Sequence, residues 1–332
     1  MSKRKYTILD LGDKKHTNST EYPLCWLIGN EKKKVKITLA GLGDVGGTAL
    51  IGLALLGGDV IESIGIYDLS QNKCQRWEME MNQIYGPSCT GRMPQIKIIS
   101  EEEIFCCDVF VFCVAKGVPG IEQKKIDVRM AQFDVNRKIV SYYAKMAADR
   151  EYQGLFAVVS DPVDLLAREA LYASRSGKKP LLPQQIQGCG LGVMNARAVY
   201  HARKDDRFSE YLEEGRVFGP HGKGLIAANS LDAERYDDAI SCELSQLVIT
   251  SNLKMREIGY KPYIAPALSS AVLTILQIIT GKWNYSSCYL NGIYFGARNR
   301  TTLRGIQWEI SPLPESLFDR LRESYHNLEM IR

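Results

Sequence analysis

Apolar residues along the chain fall into two rhythms. In the first half, short unbroken apolar runs recur between longer stretches of mixed character. "VKITLA" (35–40), "SIGIYDL" (63–69), "QIKIIS" (95–100), "DVFVFCVA" (108–115), "RKIVSYY" (137–143) and "GLFAVVS" (154–160) read as strands. Helical stretches such as "KCQRWEMEMNQIY" (73–85) separate several of them. Strands with no apolar–polar alternation are buried on both faces, so the pattern predicts a parallel sheet covered by helices on both sides. The second half differs. "LGVMNARAVYHARKDD" (191–206) and residues 232–259 carry apolar positions at helical spacing. Residues 286–311 alternate like antiparallel strands, and residues 314–332 read as a closing helix led in by Pro314. The fold class expected is α/β: a Rossmann-type doubly wound parallel sheet followed by a mixed α+β catalytic domain. Its divisions are an N-terminal extension (1–34), a nucleotide-binding domain (35–163) and a substrate domain (164–332).

Bulk composition narrows the function classes. At 332 residues, 45% hydrophobic and 24% charged, the chain has the make-up of a globular protein with two domains. The formal charge is +4, and residues 1–34 alone hold eight Lys/Arg against four Asp/Glu, so the remainder is balanced. A balanced body argues against a nucleic-acid surface. The nine cysteines form no CxxC pair, and Cys106, Cys107 and Cys113 sit in or beside an apolar run, as buried thiols do. That usage points to a reducing, cytoplasmic compartment. No apolar stretch reaches membrane-spanning length, the N-terminus has no signal-peptide apolar region, and no membrane partner is expected.

The densest information lies at 35–58, where "VKITLA" runs into Gly41-Leu-Gly43-Asp44-Val45-Gly46 and then into a helix-forming stretch. A glycine triplet alone is weak evidence, but here a strand precedes it, a helix follows it, and Asp68 ends the next strand. Gly41 permits the tight turn, Gly43 lets a pyrophosphate approach the backbone, and Gly46 brings helix against strand. The helix N-terminus faces the phosphates. Asp68 is placed to accept from the adenosine ribose hydroxyls and would repel a 2′-phosphate, which makes NAD the expected cofactor rather than NADP.

"RVFGPHGKGLIAANS" (216–230) sets His221 among glycines, after a proline. So little side-chain cover lets a ligand come close. Together with arginines, such a histidine reads as the acid/base group of an anion site.

Segment order over most of the chain resembles the lactate/malate dehydrogenase family. "AGLGDVGG" is similar to its nucleotide loop, and "VAKGVPG" followed by "DVRMAQFDVNRKIV" to its active-site loop and following helix. "VVSDPVDLL" resembles S-N-P-V-D, "GCGLGVMNAR" matches G-x-G-x-x-L-D-S-A-R in length, and "GPHGKG" resembles G-E-H-G. "YIAPALSSAVL" (263–273) looks like the helix entry of the malate enzymes. The resemblance implies hydride transfer between a nicotinamide and a small 2-hydroxy or 2-keto acid by a homodimer or homotetramer. It implies His221 as proton donor and acceptor, a role suited to an imidazole with its unperturbed pKa of about 6.5. Arg197 matches the arginine that holds the substrate carboxylate. Arg129 matches the loop arginine that stabilises charge on the carbonyl oxygen, with Asn136 seven residues later. Ala115 and Gly117 join Asn136 and the glycine loop as implied cofactor contacts.

Four departures from the family pattern change the picture. The family aspartate that orients the histidine is here Met194, which can neither accept a proton nor balance a charge. Loss of the orienting carboxylate's charge in a serine-protease triad costs roughly 10⁴ in rate. The family's S-N-P-V-D asparagine is here Asp161, which is expected either to pair with His221 or only to bind ribose. The stretch from Gly117 to Arg129 is longer than the family's loop, so the specificity position falls near Gly120, with Gln123 and Lys124 as candidates. Lys223 replaces a polar neighbour of the histidine and reads as a solvated lysine or a contact for an acidic group. The expected activity is that of an NAD-dependent oxidoreductase acting on an atypical 2-hydroxy/2-keto acid. The alternative is a silent NAD-binding sensor or subunit, and a third possibility is an enzyme for a larger amino-acid-derived or peptide-linked keto acid.

Overall fold

The computed structural model describes residues 5–12, 34–85, 93–116 and 128–331, apart from the side chains of 128–132. The first half builds β1 (Val35–Ala40), α1 (Asp44–Leu56), β2 (Ile61–Tyr67), α2 (Gln71–Asn82), β3 (Gln95–Ile98) and β4 (Val109–Phe112). After these come α3 (Val128–Asp149), β5 (Leu155–Val158), α4 (Val163–Ser174) and β6 (Ile186–Gly188). These six strands run parallel in the order β3-β2-β1-β4-β5-β6. Every residue of β4 and β5 is buried, because helices cover both faces. Strand order reverses between β1 and β4, and the crevice at their carboxyl ends is where open α/β sheets bind ligands.

The second half begins with α5 (Leu191–Ala202), α6 (Tyr211–Glu214), β7 (Arg216–Phe218), β8 (Ile226–Ala228) and α7 (Asp238–Glu257). A π-helix over Pro266–Leu273 follows, then α8 (Thr274–Ile279), β9 (Asn284–Leu290), β10 (Ile293–Thr302), β11 (Gly305–Trp308) and α9 (Glu315–Met330). β9 joins β6 antiparallel, so β9, β10 and β11 extend the same sheet to nine strands. The boundary expected after residue 163 therefore runs between β5 and β6, two neighbours in one sheet. β7 and β8 form a separate two-stranded ribbon.

Two local expectations are corrected. Residues 137–143, read as a strand, lie within α3. Their burial is helical: Phe133, Asn136, Val140, Tyr143, Ala144 and Ala147 face inward at spacings of three and four. The apolar run "IV" beside two tyrosines has strand composition, but packing against the neighbouring α4 sets the period. Cys106 is exposed, whereas Cys113 is buried and Cys107 half-buried. Of the N-terminal extension, Tyr6 bridges Leu313 and stacks on Phe318 at 4.3 Å, and Leu11 is fully buried. The apolar segment 22–30 lies outside the described residues.

Candidate active site

The nucleotide crevice is built from close contacts. Gly41 has φ +93°, and a Cβ there would lie 2.8 Å from the Cys113 main chain at the end of β4. A Cβ on Gly46 would fall 1.8 Å from the Gly41 carbonyl oxygen, so α1 starts hard against the loop. Gly43 is exposed with no atom within 4 Å of a Cβ, leaving its backbone open beside the α1 N-terminus. Asp44 and Val45 form the first turn of α1, and Lys261 reaches across from the second half to Asp44, Nζ to Oδ2 3.1 Å. Asp68 sits at the end of β2; its carboxylate accepts from the Leu42 N–H (2.9 Å) and the Ser70 N–H (3.0 Å), with Lys73 Nζ 3.5 Å away. Burial pushes the nearby Cys113 thiol up to about 12, so it stays neutral.

Ala115 is exposed at the end of β4. The next residue's N–H, on Lys116, donates to Asn136 Oδ1 at 3.0 Å. The Asn136 amide in turn donates to the Asp161 carbonyl oxygen at 3.0 Å. Buried Asn136 thus ties the ends of β4 and β5 together, and the Asp161–Pro162 peptide beside it is cis. Gly117, Gly120, Gln123 and Lys124 lie outside the described residues, as does the Arg129 side chain.

His221 hangs in the turn between β7 and β8. The Gly219 N–H anchors that turn to the Gly296 carbonyl oxygen on β10 at 2.8 Å, and Ser324 of α9 donates to the Gly224 carbonyl oxygen at 2.7 Å. Three contacts fix the histidine. Its Nδ1–H donates to the Gly190 carbonyl oxygen at 2.8 Å, since a carbonyl can only accept. Its main-chain N–H donates to Asp164 Oδ2 at 2.9 Å. Its Nε2 faces Asp161 Oδ1 at 3.6 Å, an ion-pair separation longer than a hydrogen bond. The imidazole side chain is 11% exposed and the Asp161 side chain 47%, so Nε2 looks toward the open end of the crevice.

The Gly190 carbonyl also accepts from Ser270 Oγ at 2.8 Å, and Ser270 Oγ accepts from the Val193 N–H at 2.9 Å. The π-helix carries Ser270 to this point at the start of α5. Gly190 has no room for a side chain: a Cβ would lie 3.0 Å from His221 Cβ and from Val163 Cγ2. Asp164 is buried, and its second oxygen accepts from Ser287 Oγ on β9. Burial raises the Asp164 carboxyl above its ordinary value, and the bonds from Ser287 and His221 pull it back.

Met194 is buried in an apolar cluster with Leu191, Val193, Phe208 and Val248. Arg197, further along α5, donates to the Val248 carbonyl oxygen on α7 at 3.4 Å and approaches Met194 Sδ at 3.6 Å. His201 bonds Ser251 at 2.9 Å, burial lowers its pKa, and it belongs to the α5–α7 packing. Lys223 is exposed. The structure thus joins His221 to Asp161 and gathers Gly41, Gly43, Asp44, Val45, Gly46, Asp68, Ala115 and Asn136 around the crevice. Asp164, Gly190, Ser270 and Ser287 were not singled out by sequence reasoning; Asp164, Gly190 and Ser270 stand inside motifs of the family pattern, but nothing local announces that Asp164 and Gly190 reach a histidine 57 and 31 residues away.

An open parallel sheet with a glycine loop at its switch point and an acid at the end of β2 defines a dinucleotide-binding α/β protein. Residues 35–182 match the model of the lactate/malate dehydrogenase NAD-binding domain. An L-lactate dehydrogenase of Treponema denticola is 27% identical over 201 residues, 60% of this chain and 59% of that protein. A lactate dehydrogenase from a Medee basin deep-sea metagenome library shares the fold with TM-score 0.70 at 19% identity, covering 90% of this chain and 97% of that one. Cryptosporidium parvum malate dehydrogenase shares it with TM-score 0.67 at 17% identity, covering 90% and 97%. Residues 35–182 thus match the NAD-binding domain of the lactate/malate dehydrogenases, and at low identity the chain shares the fold of lactate and malate dehydrogenases. Its cofactor is NAD, and the open backbone at Gly43, the α1 N-terminus and Asp68 fit the pyrophosphate and ribose.

Proposed function

We propose that the chain is an NAD-dependent oxidoreductase of 2-hydroxy and 2-keto acids, with His221 as acid/base. The observation that carries this reading is the Nδ1–H bond to Gly190, which fixes one tautomer and leaves Nε2 facing the crevice. Bound NAD supplies or accepts the hydride. Nε2 then gives its proton to the ketone oxygen, or takes it from the alcohol, while Nδ1–H stays on the Gly190 carbonyl. Arg197 holds the substrate carboxylate, for which its guanidinium must turn from the Val248 carbonyl, and Arg129 polarises the substrate carbonyl. While no substrate is bound, Asp161 pairs with the charged imidazole from the Nε2 side, a reading supported by the 3.6 Å separation, and it yields that nitrogen to the substrate oxygen.

The substrate we expect is atypical. A carboxylate at 161 in place of the family's amide, a longer 117–129 segment and Lys223 beside the histidine all alter the pocket. We place the protein in a reducing cytoplasm, in line with seven described cysteines that are all unpaired. Among the described residues no helix is long and apolar enough to cross a membrane. A second copy is the expected cover for Ile51, Leu55 and Leu56 on α1 and for Leu273, which are exposed.

NADH oxidation against a panel of 2-keto acids tests the reading: turnover on one acid class supports it, and silence across the panel overturns it. Met194 favours a second reading, an NAD-binding sensor or subunit without turnover. That reading expects silence in the same panel while NADH fluorescence still reports binding.

A further inference from the structure

The loss of a carboxylate at position 194 separates two jobs that one aspartate can do for a histidine: fixing the tautomer, and balancing the charge of the imidazolium. Gly190 does the first. Its carbonyl holds Nδ1–H and is itself fixed by Ser270, but it carries no net charge. The charge must come from elsewhere. Asp161 faces the wrong nitrogen for a permanent partner, because a substrate oxygen must approach that same Nε2.

Asp164 is different. It stands in the first turn of α4, buried at 4% exposure, with one oxygen on the His221 N–H and the other on Ser287 Oγ. Among the described residues no lysine or arginine pairs with it. A buried carboxylate without a counter-ion is costly, and both of its hydrogen bonds could be met by a neutral asparagine with Ser287 turned around. Its bond to the His221 main-chain N–H sets the carboxylate within a side chain's length of the imidazole, which is a cation when it holds both protons.

We propose that Asp164 is the positioning residue that supplies the negative charge for His221, acting from beneath the main chain where the family's aspartate would act at the ring. The inference rests on His221 being the acid/base of the proposed reaction. Among the described residues, the charged groups in contact with His221 are Asp161, from the segment before α4, and Asp164 from α4 itself. Arg197 on α5 is engaged with α7, and Lys223 is exposed further along the turn.

The test compares the wild type with Asp164→Asn, each with labelled histidine, by nuclear magnetic resonance across pH and by steady-state kinetics. The variant is expected to melt no lower than the wild type and to bind NADH equally well. Its His221 titration should move to lower pH and its kcat should fall about tenfold or more, with KM for NADH unchanged. A folded variant in which neither the titration nor kcat moves overturns the proposal. If Asp164→Asn does not fold, the wild-type Asp164 carboxyl carbon signal serves instead. It should register the His221 titration and lose that step in His221→Asn; a signal blind to His221 overturns the proposal. Titration does not need turnover, so a shifted titration in a protein that reduces no keto acid would count against the dehydrogenase reading alone.

Discussion

His221 donates its Nδ1–H to the main-chain carbonyl of Gly190, 2.8 Å away, and not to a side-chain carboxylate. A carbonyl selects the same tautomer that an aspartate would, since neither gives up a proton. What it cannot do is favour the charged ring as strongly. The bond that fixes the tautomer is therefore present with methionine at 194, while the charge an aspartate would bring to Nδ1 is not.

Gly190→Ala is expected to displace the imidazole. The added methyl would stand 3.0 Å from His221 Cβ and 3.2 Å from Cγ, with Val163 closing the other side. Thermal melts should register an overpacking cost of about 1–3 kcal/mol. Turnover should fall by far more than NADH affinity, because the nucleotide loop is untouched. Equal losses in both would show that the contact matters only for folding.

Met194→Asp restores the family residue in a site that no longer waits for it. The new carboxylate would be buried among apolar side chains, with Arg197 as its neighbour and Nδ1 already bonded to Gly190. The expected outcome is lower stability with no gain in rate. A rate that rises would mark a decayed site, repairable by one residue.

At the glycine loop, Lys261 pairs with the carboxylate of Asp44 at the α1 N-terminus, where the proposed site would hold the pyrophosphate. Lys261→Ala leaves that negative charge facing the pyrophosphate, so NADH affinity should weaken about two- to fivefold, and less at high salt. Asp44→Asn should offset the loss. Fluorescence titration of NADH at two ionic strengths separates these outcomes.

Stability toward acid should depend on Glu309. Burial works against its charge, but the Arg216 and Arg298 guanidiniums outweigh that and hold its pKa below the ordinary value; Arg216 lies 2.7 Å away. A lowered folded-state pKa means the stabilisation is present above the unfolded glutamate value, about 4.3, and is lost as pH falls through the folded one. Glu309→Gln should cost about 1–3 kcal/mol at neutral pH and flatten the acid limb of a melting-temperature profile. Asp164 carries the opposite sign. Its raised pKa means that protonation relieves the fold as pH falls.

The parallel half of the fold was legible because its strands are buried on both faces, as the "VFVF" of β4 is. The loop Gly41–Gly46 was legible because the strand before it and the helix after it adjoin it in sequence, although its contacts with Cys113, Asp68 and Lys261 come from elsewhere in the chain. Residues 137–143 misled because an apolar run of this length has strand composition whichever period packing imposes. The histidine's supports were hidden for another reason. Gly190, Asp164 and Ser287 reach His221 or one another only after β6, α4, the β7–β8 turn and β9 have converged. A glycine valued for its carbonyl and an aspartate valued for a buried charge look, in sequence, like any other glycine and aspartate.

The most direct test of the central claim compares wild-type protein with His221→Asn in NADH-dependent reduction of the 2-keto acid that the wild type accepts best, with NADH affinity measured on both. The account predicts turnover in the wild type and its near-complete loss in the variant at unchanged NADH affinity. A variant that reduces the acid as fast as the wild type would contradict the account, because His221 would then not be the group that moves the proton.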